Sequence, residues 1–511
     1  MNDLTTIATL LDSGADDGSA IGAPEGEAPL RYGELRALAR RTVEALNGMG
    51  VGRNDRVAIV LPNGPEAASS FVCIGAGATT APLNPGYRAD DFEFYLRDLR
   101  ARALVVEEGS GSPAIAVARR LEVPVVALRR DRARGAGAFT LAPLDPLHGA
   151  TARGGLAEPD DTALVLHTSG TTSRPKIVPL LQRNVVASAR NIVATLALGP
   201  GDVCLNIMPL FHIHGLMAAT LASLAAGAQV SCSPGFNALR FFHWLDDVKP
   251  TWYTAVPTMH QAILARAERH HDSLARCRLR LIRSSSASLP PQVMAQLERT
   301  FRAPVIEAYG MTEAAHQMAS NPLPPRPRKP GSVGVAAGPD VAIMDERGAL
   351  LPGGEIGEVV IRGTNVTPGY ESNPEANAKA FTNGWFRTGD QGALDEEGYL
   401  RLTGRLKELI NRGGEKISPL EIDEALMHHP AVQQVVAFGM PHEQLGEEVA
   451  AAVVLREGQH ATERELREFA ATRLIHFKVP RKIVIVTEIP KGATGKLQRI
   501  GLAAKLGVAG G

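Results

Sequence analysis

The sequence is poor in cysteine, in net charge and in long apolar runs. Cys73, Cys204, Cys232 and Cys277 stand far apart with no CxxC pair. That spacing excludes a disulfide framework and a cysteine zinc site, and points to free thiols in a reducing compartment, the cytoplasm. Lys plus Arg and Asp plus Glu each number 54, so the formal net charge is zero. Such a balance argues against a nucleic-acid partner and against a polybasic membrane surface. The longest apolar run, "GLMAATLASLAAGAQV" at 215–230, is rich in Ala and Gly and shorter than a membrane span. It reads as a buried helix followed by a turn. No basic segment precedes the first apolar residues, so no secretory signal is expected. The biased stretch "RRDRARGAGA" at 129–138 reads as a solvated loop, and no internal repeat is visible.

A length of 511 residues exceeds one ordinary domain, and a 44% hydrophobic content supplies sizeable cores. The first 160 residues or so alternate two patterns. "YGELRALARRTVEALNGMG" and "PEAASSFVCIGAGA" have helical spacing, while "DRVAIVLPNG" and "RALVVEE" are short apolar strands. "VCLNIMPL", "QVSCSPG", "TWYTAVP" and "RLIRSSSA" continue the strand-then-turn pattern. The expected fold class is therefore α/β, with parallel-sheet layers and crossover helices. Ligands of such sheets lie at the carboxyl ends of the strands. The polar clusters "HTSGTTS", "PLFHIHG", "SSSAS" and "EAYGMTE" all follow strands, so one site is expected to collect them.

Short strands with Gly-rich turns over 333–402 predict a small β-rich subdomain. Beyond "GRLKELINRGGEKISP" the pattern becomes compact α+β, with "PLEIDEALMHHP" and "TERELREFAATRL" as helices and "VQQVVAFGMP" as a strand. The expected division is 1–403 for an N-terminal domain, 404–408 for a hinge and 409–511 for a C-terminal domain.

Hydroxyl density sets residues 167–176, "HTSGTTSRPK", apart. Backbone N–H groups and hydroxyls of Ser169, Gly170, Thr171, Thr172 and Ser173 suit phosphate oxygens, and Lys176 adds charge. The stretch lacks the GxxxxGK[ST] pattern, and alone it fits a surface turn equally well. Thr312 and Glu313, after the apolar "APVI", suit a phosphate oxygen and Mg²⁺, or a helix cap. Asp390 in "WFRTGD" suits ribose hydroxyls or a hairpin turn. Arg405, Lys407 and Lys496 are each a solvated charge unless the fold gathers them.

In order and spacing, "TSGTTSRPK", "PLFHIHG", "YGMTE", "WFRTGD", "GRLKELI" and "PKGATGK" resemble the core motifs of the adenylate-forming acyl-CoA synthetases. That superfamily also holds firefly luciferase and the peptide-synthetase adenylation domains. The resemblance covers nearly the whole chain. It implies a large N-terminal domain, a small mobile C-terminal domain and two half-reactions: carboxylate plus ATP gives acyl-adenylate and pyrophosphate, then the CoA thiol gives acyl-CoA and AMP. ATP, Mg²⁺ and coenzyme A are the implied cofactors, a small carboxylate the substrate, and a homo-oligomer is compatible with the family.

By the same resemblance, residues 168–176, Thr168 and Lys176 included, grip phosphates. Ser286, Ala287 and Ser288 line adenine opposite Glu307, Ala308 and Tyr309. Thr312 and Glu313 serve phosphate and metal, Asp390 holds ribose, and Arg405 contacts the nucleotide. His212 sits beside the reacting carboxylate, Lys496 stabilises charge at the α-phosphate, and Lys407 is the pivot. Arg412, Gly413 and Gly414 of "NRGGEKISP" face CoA. The chain departs from the family pattern with Ile177 and Ser173 where Gly is usual, and with "SSSAS" where "SGAAP" is commoner.

Longer stretches, "EAYGMTEAAHQMASNPLP" and "INRGGEKISPLEID" among them, look like the oxalate–CoA ligases. His214, His316, Ser284 and Arg283 could pair a second carboxylate, or be packed core residues. Malonate or another short dicarboxylate is the nearest rival substrate, then a fatty acid. A carrier-protein acceptor and a non-catalytic binding protein are the alternatives of a different class.

Overall fold

The computed structural model describes residues 5–146, 151–168, 175–492 and 496–508. Ser169, Gly170, Thr171, Thr172 and Ser173 lie outside the described residues.

In the first third, apolar runs become strands because amphipathic helices between them cover their faces. Tyr32–Gly48 buries Leu35, Leu38, Ala39, Val43 and Leu46, a stripe at helical spacing. Pro65 opens Pro65–Gly75, where a missing N–H costs nothing. Val125–Arg130, Ala103–Glu107, Arg56–Val60, Thr79–Pro82 and Thr162–His167 are parallel neighbours in a seven-stranded sheet. Antiparallel Phe139–Pro143 and Ile177–Leu181 close its edges.

A nine-stranded sheet follows. Gln229–Cys232, Val203–Asn206, Trp252–Ala255, Leu281–Ser285 and Val305–Met311 run parallel within it, and His316–Ser320 returns antiparallel. The strand-then-turn segments thus place their polar turns at one edge. Residues 215–230 hold a helix as expected, but His214–Leu221 is a π-helix before the α-helical Ala222–Ala225. Single π-turns widen a helix and are frequent at functional sites.

The stretch 129–138 is not a solvated loop throughout. Arg129 and Arg130 end a strand that pairs with Phe139–Pro143, and Ala136 and Ala138 are buried. Register explains this: Arg130 lies opposite Phe139, so the segment between them is a tight return rather than a free loop. Ion pairs from Arg129 to Glu108 and from Arg130 to Glu107 neutralise the exposed cations.

Asp340–Met344, Gly357–Arg362, Trp385–Leu394 and Leu400–Arg405 form the antiparallel sheet expected between 333 and 402. The last hundred residues or so build a further sheet, with Val432–His442 against Gly446–Leu455 at its centre. Pro419–Met427 and Glu463–Ala471 cover it. Thr462 caps the second helix reciprocally with Glu465, as "TERE" suggests. Ile422, Leu426, Val449 and Leu466 give this unit a core of its own.

Polar contacts cross between that unit and the rest. Gln261 Nε2 donates to the Gln433 carbonyl at 3.3 Å, and Gln434 Nε2 donates to Gln261 Oε1 at 3.4 Å. Arg401 and Glu424 lie 3.6 Å apart, Lys416 and Glu346 3.7 Å apart.

Candidate active site

The Val305–Met311 strand runs straight into a single turn, Thr312–Ala314, which delivers Glu313 to the sheet edge. Glu313 is buried, and burial pushes its carboxyl above the usual range. Tyr370 Oη donates to Glu313 Oε1 at 2.8 Å. The same Tyr370 ring lies 4.2 Å beneath Lys176 Nζ, a cation–π contact. One phenol therefore holds both a carboxylate and a phosphate-loop cation. Thr168 N donates to the Lys176 carbonyl at 2.9 Å, and Lys176 N to Thr168 Oγ1 at 3.2 Å, which closes the neck of the hydroxyl-rich loop.

Asp390 sits within the Trp385–Leu394 strand, opposite Arg405 in register. Its Oδ2 accepts from Tyr309 Oη at 2.5 Å and its Oδ1 from Arg405 Nε at 2.9 Å. Lys496 arrives from the C-terminal unit. Burial first, then Arg405, pushes its ammonium down to about 8, while Asp390, Glu313 and Glu408 act the other way. Burial and the Lys496 charge push the His212 imidazole down to about 3, so it is neutral near pH 7. Lys496, Arg405, Asp390, Glu313 and His212 thus share one electrostatic neighbourhood, although the chain separates them by up to 284 positions.

Behind this cluster, Glu307 Oε1 accepts from Leu289 N at 2.9 Å while Oε2 is buried without a partner. Burial pushes its carboxyl up to about 8. The Ala308 carbonyl accepts from Ser285 Oγ at 2.8 Å. Ser286 follows with φ +76°, a left-handed conformation uncommon for serine. Ala287 and Ser288 are exposed.

Next to Ser286 lies a cluster of buried polar side chains. Arg283 is fully buried on the Leu281–Ser285 strand. Its Nη1 lies 3.5 Å from His214 Nε2, its Nη2 donates to Gln317 Oε1 at 3.3 Å, and its Nε has no partner. Burial pushes the guanidinium down to about 9, which leaves it charged at neutral pH. His214 and His316 stack with ring centroids 4.9 Å apart. Burial, the Arg283 cation and the neighbouring imidazoles hold both well below the ordinary histidine range. His316 Nε2 is also buried without a partner among the described residues, as is Ser284 Oγ, which strand alternation turns to the opposite face of the sheet from Arg283, so the sequence expectation that both face one carboxylate does not hold for Ser284. Gly310 makes room here: a Cβ on it would stand 1.9 Å from the His316 carbonyl.

Most of the residues singled out by sequence are therefore gathered. The residues expected to face CoA are not: Arg412 pairs with Glu448 at 2.6 Å inside the small unit, and Gly413 and Gly414 make a hairpin turn beside it. Lys407 is exposed between Arg405 and Glu408. Sequence reasoning missed Tyr370, Gln317, Thr254 and Arg499. Tyr370 follows a Pro-Gly turn, a signal of close approach; the others carry no local signal.

Architecture and site together define an adenylate-forming enzyme fold. Residues 17–371 match the AMP-binding enzyme family, and 421–496 its C-terminal domain. The chain belongs to the AMP-binding enzyme family. An oxalate–CoA ligase of Arabidopsis thaliana is 46% identical over 479 residues, 93% of each chain. One from Saccharomyces cerevisiae is 40% identical over 535 residues, 97% of each. The ATP-bound MatB from Rhodopseudomonas palustris matches with a TM-score of 0.85 and 30% identity over 97% of both chains.

Proposed function

We propose that this chain joins oxalate to coenzyme A. As an AMP-forming acid–thiol ligase it uses ATP, Mg²⁺ and coenzyme A. The observation that carries oxalate is Arg283. A fully buried cation with no carboxylate of this chain against it, among the described residues, is costly. It lies near His316, whose Nε2 has no partner among the described residues. A second substrate carboxylate supplies what both lack, whereas the tail of a fatty acid would leave them unpaired. The oxalate–CoA ligases among the relatives agree with this reading.

In the first half-reaction an oxalate oxygen attacks the α-phosphorus of ATP and pyrophosphate leaves. Lys496 and Arg405 stabilise the charge that develops there. Neutral His212 stands beside the attacking carboxylate without competing for the cations. Asp390 takes the ribose, with Tyr309 and Arg405 fixing its oxygens. Glu313, a single buried carboxylate at the sheet edge, would hold Mg²⁺. Mg²⁺ when bound neutralises phosphate charge. In the second half-reaction the CoA sulfur attacks the oxalyl carbonyl and AMP leaves. For this step 409–511 turns about 404–408, with Lys407 as pivot, and brings Arg412, Gly413 and Gly414 toward the thiol. Four free cysteines support a cytoplasmic location, and no helix among the described residues is long and apolar enough to cross a membrane.

The test is AMP release by the purified chain with oxalate, malonate and fatty acids, each with and without CoA. Oxalate is expected to give the highest kcat/KM and CoA to be required for steady turnover. Preference for a fatty acid would overturn the substrate, and CoA-independent loading of a carrier protein would overturn the acceptor.

A further inference from the structure

We infer that Ser286 joins the acid pocket to the nucleotide pocket, so that filling either one tightens binding in the other. This rests on the substrate reading above. The joint is the His214 ring. Its Nε2 faces Thr254 Oγ1 at 2.6 Å and Arg283 Nη1 at 3.5 Å, and its Nδ1 faces Ser286 Oγ at 3.0 Å.

The neighbours dictate the tautomer. A guanidinium only donates, so the nitrogen beside it keeps its lone pair. Thr254 can donate to that same lone pair. The single proton of the neutral ring therefore sits on Nδ1 and is donated to Ser286 Oγ. The Ser286 hydroxyl keeps its own proton free to donate onward. Ser286 is only partly buried, and by the family resemblance it begins the segment that lines adenine.

The backbone gives a second, independent reason to look here. Ser286 holds φ +76°, and His316, stacked on His214, holds φ +97°. Non-glycine residues persist in such conformations where the surroundings over-determine them. For Ser286 that surrounding is the His214 hydrogen bond. The Arg283 guanidinium leans on His214 and Gln317, its only acceptors among the described residues. A bound carboxylate draws the Arg283 N–H groups to itself and leaves His214 Nε2 to the Thr254 hydroxyl alone. His214 is then fixed, Ser286 with it, and the wall meets adenine already ordered. By reciprocity a nucleotide that orders Ser286 orders the acid pocket.

Calorimetric titration of oxalate into the full chain tests this, with Mg²⁺ and with or without α,β-methylene-ATP. In the unaltered chain the analogue is expected to tighten oxalate roughly tenfold. Ser286→Ala keeps the backbone conformation awkward and removes the hydroxyl; Ser286→Gly relieves the backbone and removes the hydroxyl. In both, the factor is expected to fall to within about twofold of unity. Coupling preserved in either variant, or absent from the unaltered chain, overturns the inference and leaves oxalate as substrate. Failure of oxalate to bind with or without the analogue overturns the substrate reading and the inference with it.

Discussion

In the proposed reaction Arg283 is the residue on which substrate choice turns, and its burial makes an unusual expectation. Truncating one partner of a buried charge pair typically costs 2–5 kcal/mol, roughly 30- to 5,000-fold in binding. Arg283→Met is expected to lower kcat/KM for oxalate by at least that. Yet replacing an uncompensated buried charge by an apolar chain of similar length commonly stabilises. The ligand-free melting temperature is therefore expected to hold or rise. A drop of several degrees would mean that Arg283 is part of the folded framework rather than a binding group.

Tyr370 makes a narrower case. Tyr370→Phe keeps the ring under Lys176 and deletes only the hydrogen bond to Glu313. Hydrogen bonds to charged groups contribute about 1.5–3 kcal/mol, so the Mg²⁺ concentration for half-maximal adenylation is expected to rise roughly tenfold. Unchanged Mg²⁺ dependence would remove Tyr370 from the site. Lys496 makes a pH prediction. Its charged form is the useful one, and in the enzyme without ATP its ammonium is pushed down to about 8. Below that pH kcat/KM for ATP is expected to be flat; above it, the rate falls as the charge is lost. Lys496→Arg is expected to remove this alkaline limb from whatever rate remains.

At the scale of elements, the proposed hinge at 404–408 is bracketed by two arginines. Arg405 fixes its large-domain side through Asp390, and Leu406 N donates to the Gly389 carbonyl at 2.9 Å. Arg499, three residues beyond Lys496, holds its other side: Nε lies 3.3 Å from Glu408 Oε2 and Nη2 2.7 Å from Asp423 Oδ2. Lys407 is the residue left free between these anchors. Proline there fixes φ and restricts Leu406. Lys407→Pro is expected to retain pyrophosphate release in a single turnover and to lose thioester formation from preformed oxalyl-adenylate. Normal acyl-CoA yield would place the pivot elsewhere.

This scale also shows what could be read in advance. Strand-then-turn segments announced the parallel sheets because that signal is local; the charged turns with Glu313, Asp390 and Arg405 come together, while the hydroxyl-rich 169–173 lies outside the described residues. Gln317 and Thr254 were invisible because their roles come from strand register: Thr254 lies beside Arg283 in the sheet, and Gln317 opposite Gly310. The π-helix at His214 left no periodic trace, since a wider turn among Ala, Leu and Gly looks like any apolar run. The 129–138 stretch misled because its arginines mask the buried alanines between them.

For the whole molecule, the polar contacts of Gln261 with Gln433 and Gln434 make the small unit resemble a transient partner more than a packed layer. The uncompensated guanidinium in the large unit has a consequence of another kind. On the proposed reading the substrate is the counter-ion that Arg283 lacks among the described residues, so the acid would act as a removable part of the fold. Binding to the native state alone adds RT ln(1 + [L]/Kd), about 2.7 kcal/mol at a hundredfold excess over Kd. Pulsed proteolysis is expected to cut the chain more slowly as oxalate is added, and Arg283→Met to lose that dependence. In a cell, such a chain would outlast its own synthesis longest where its substrate is plentiful, and supply of the acid would set the abundance of the protein that consumes it.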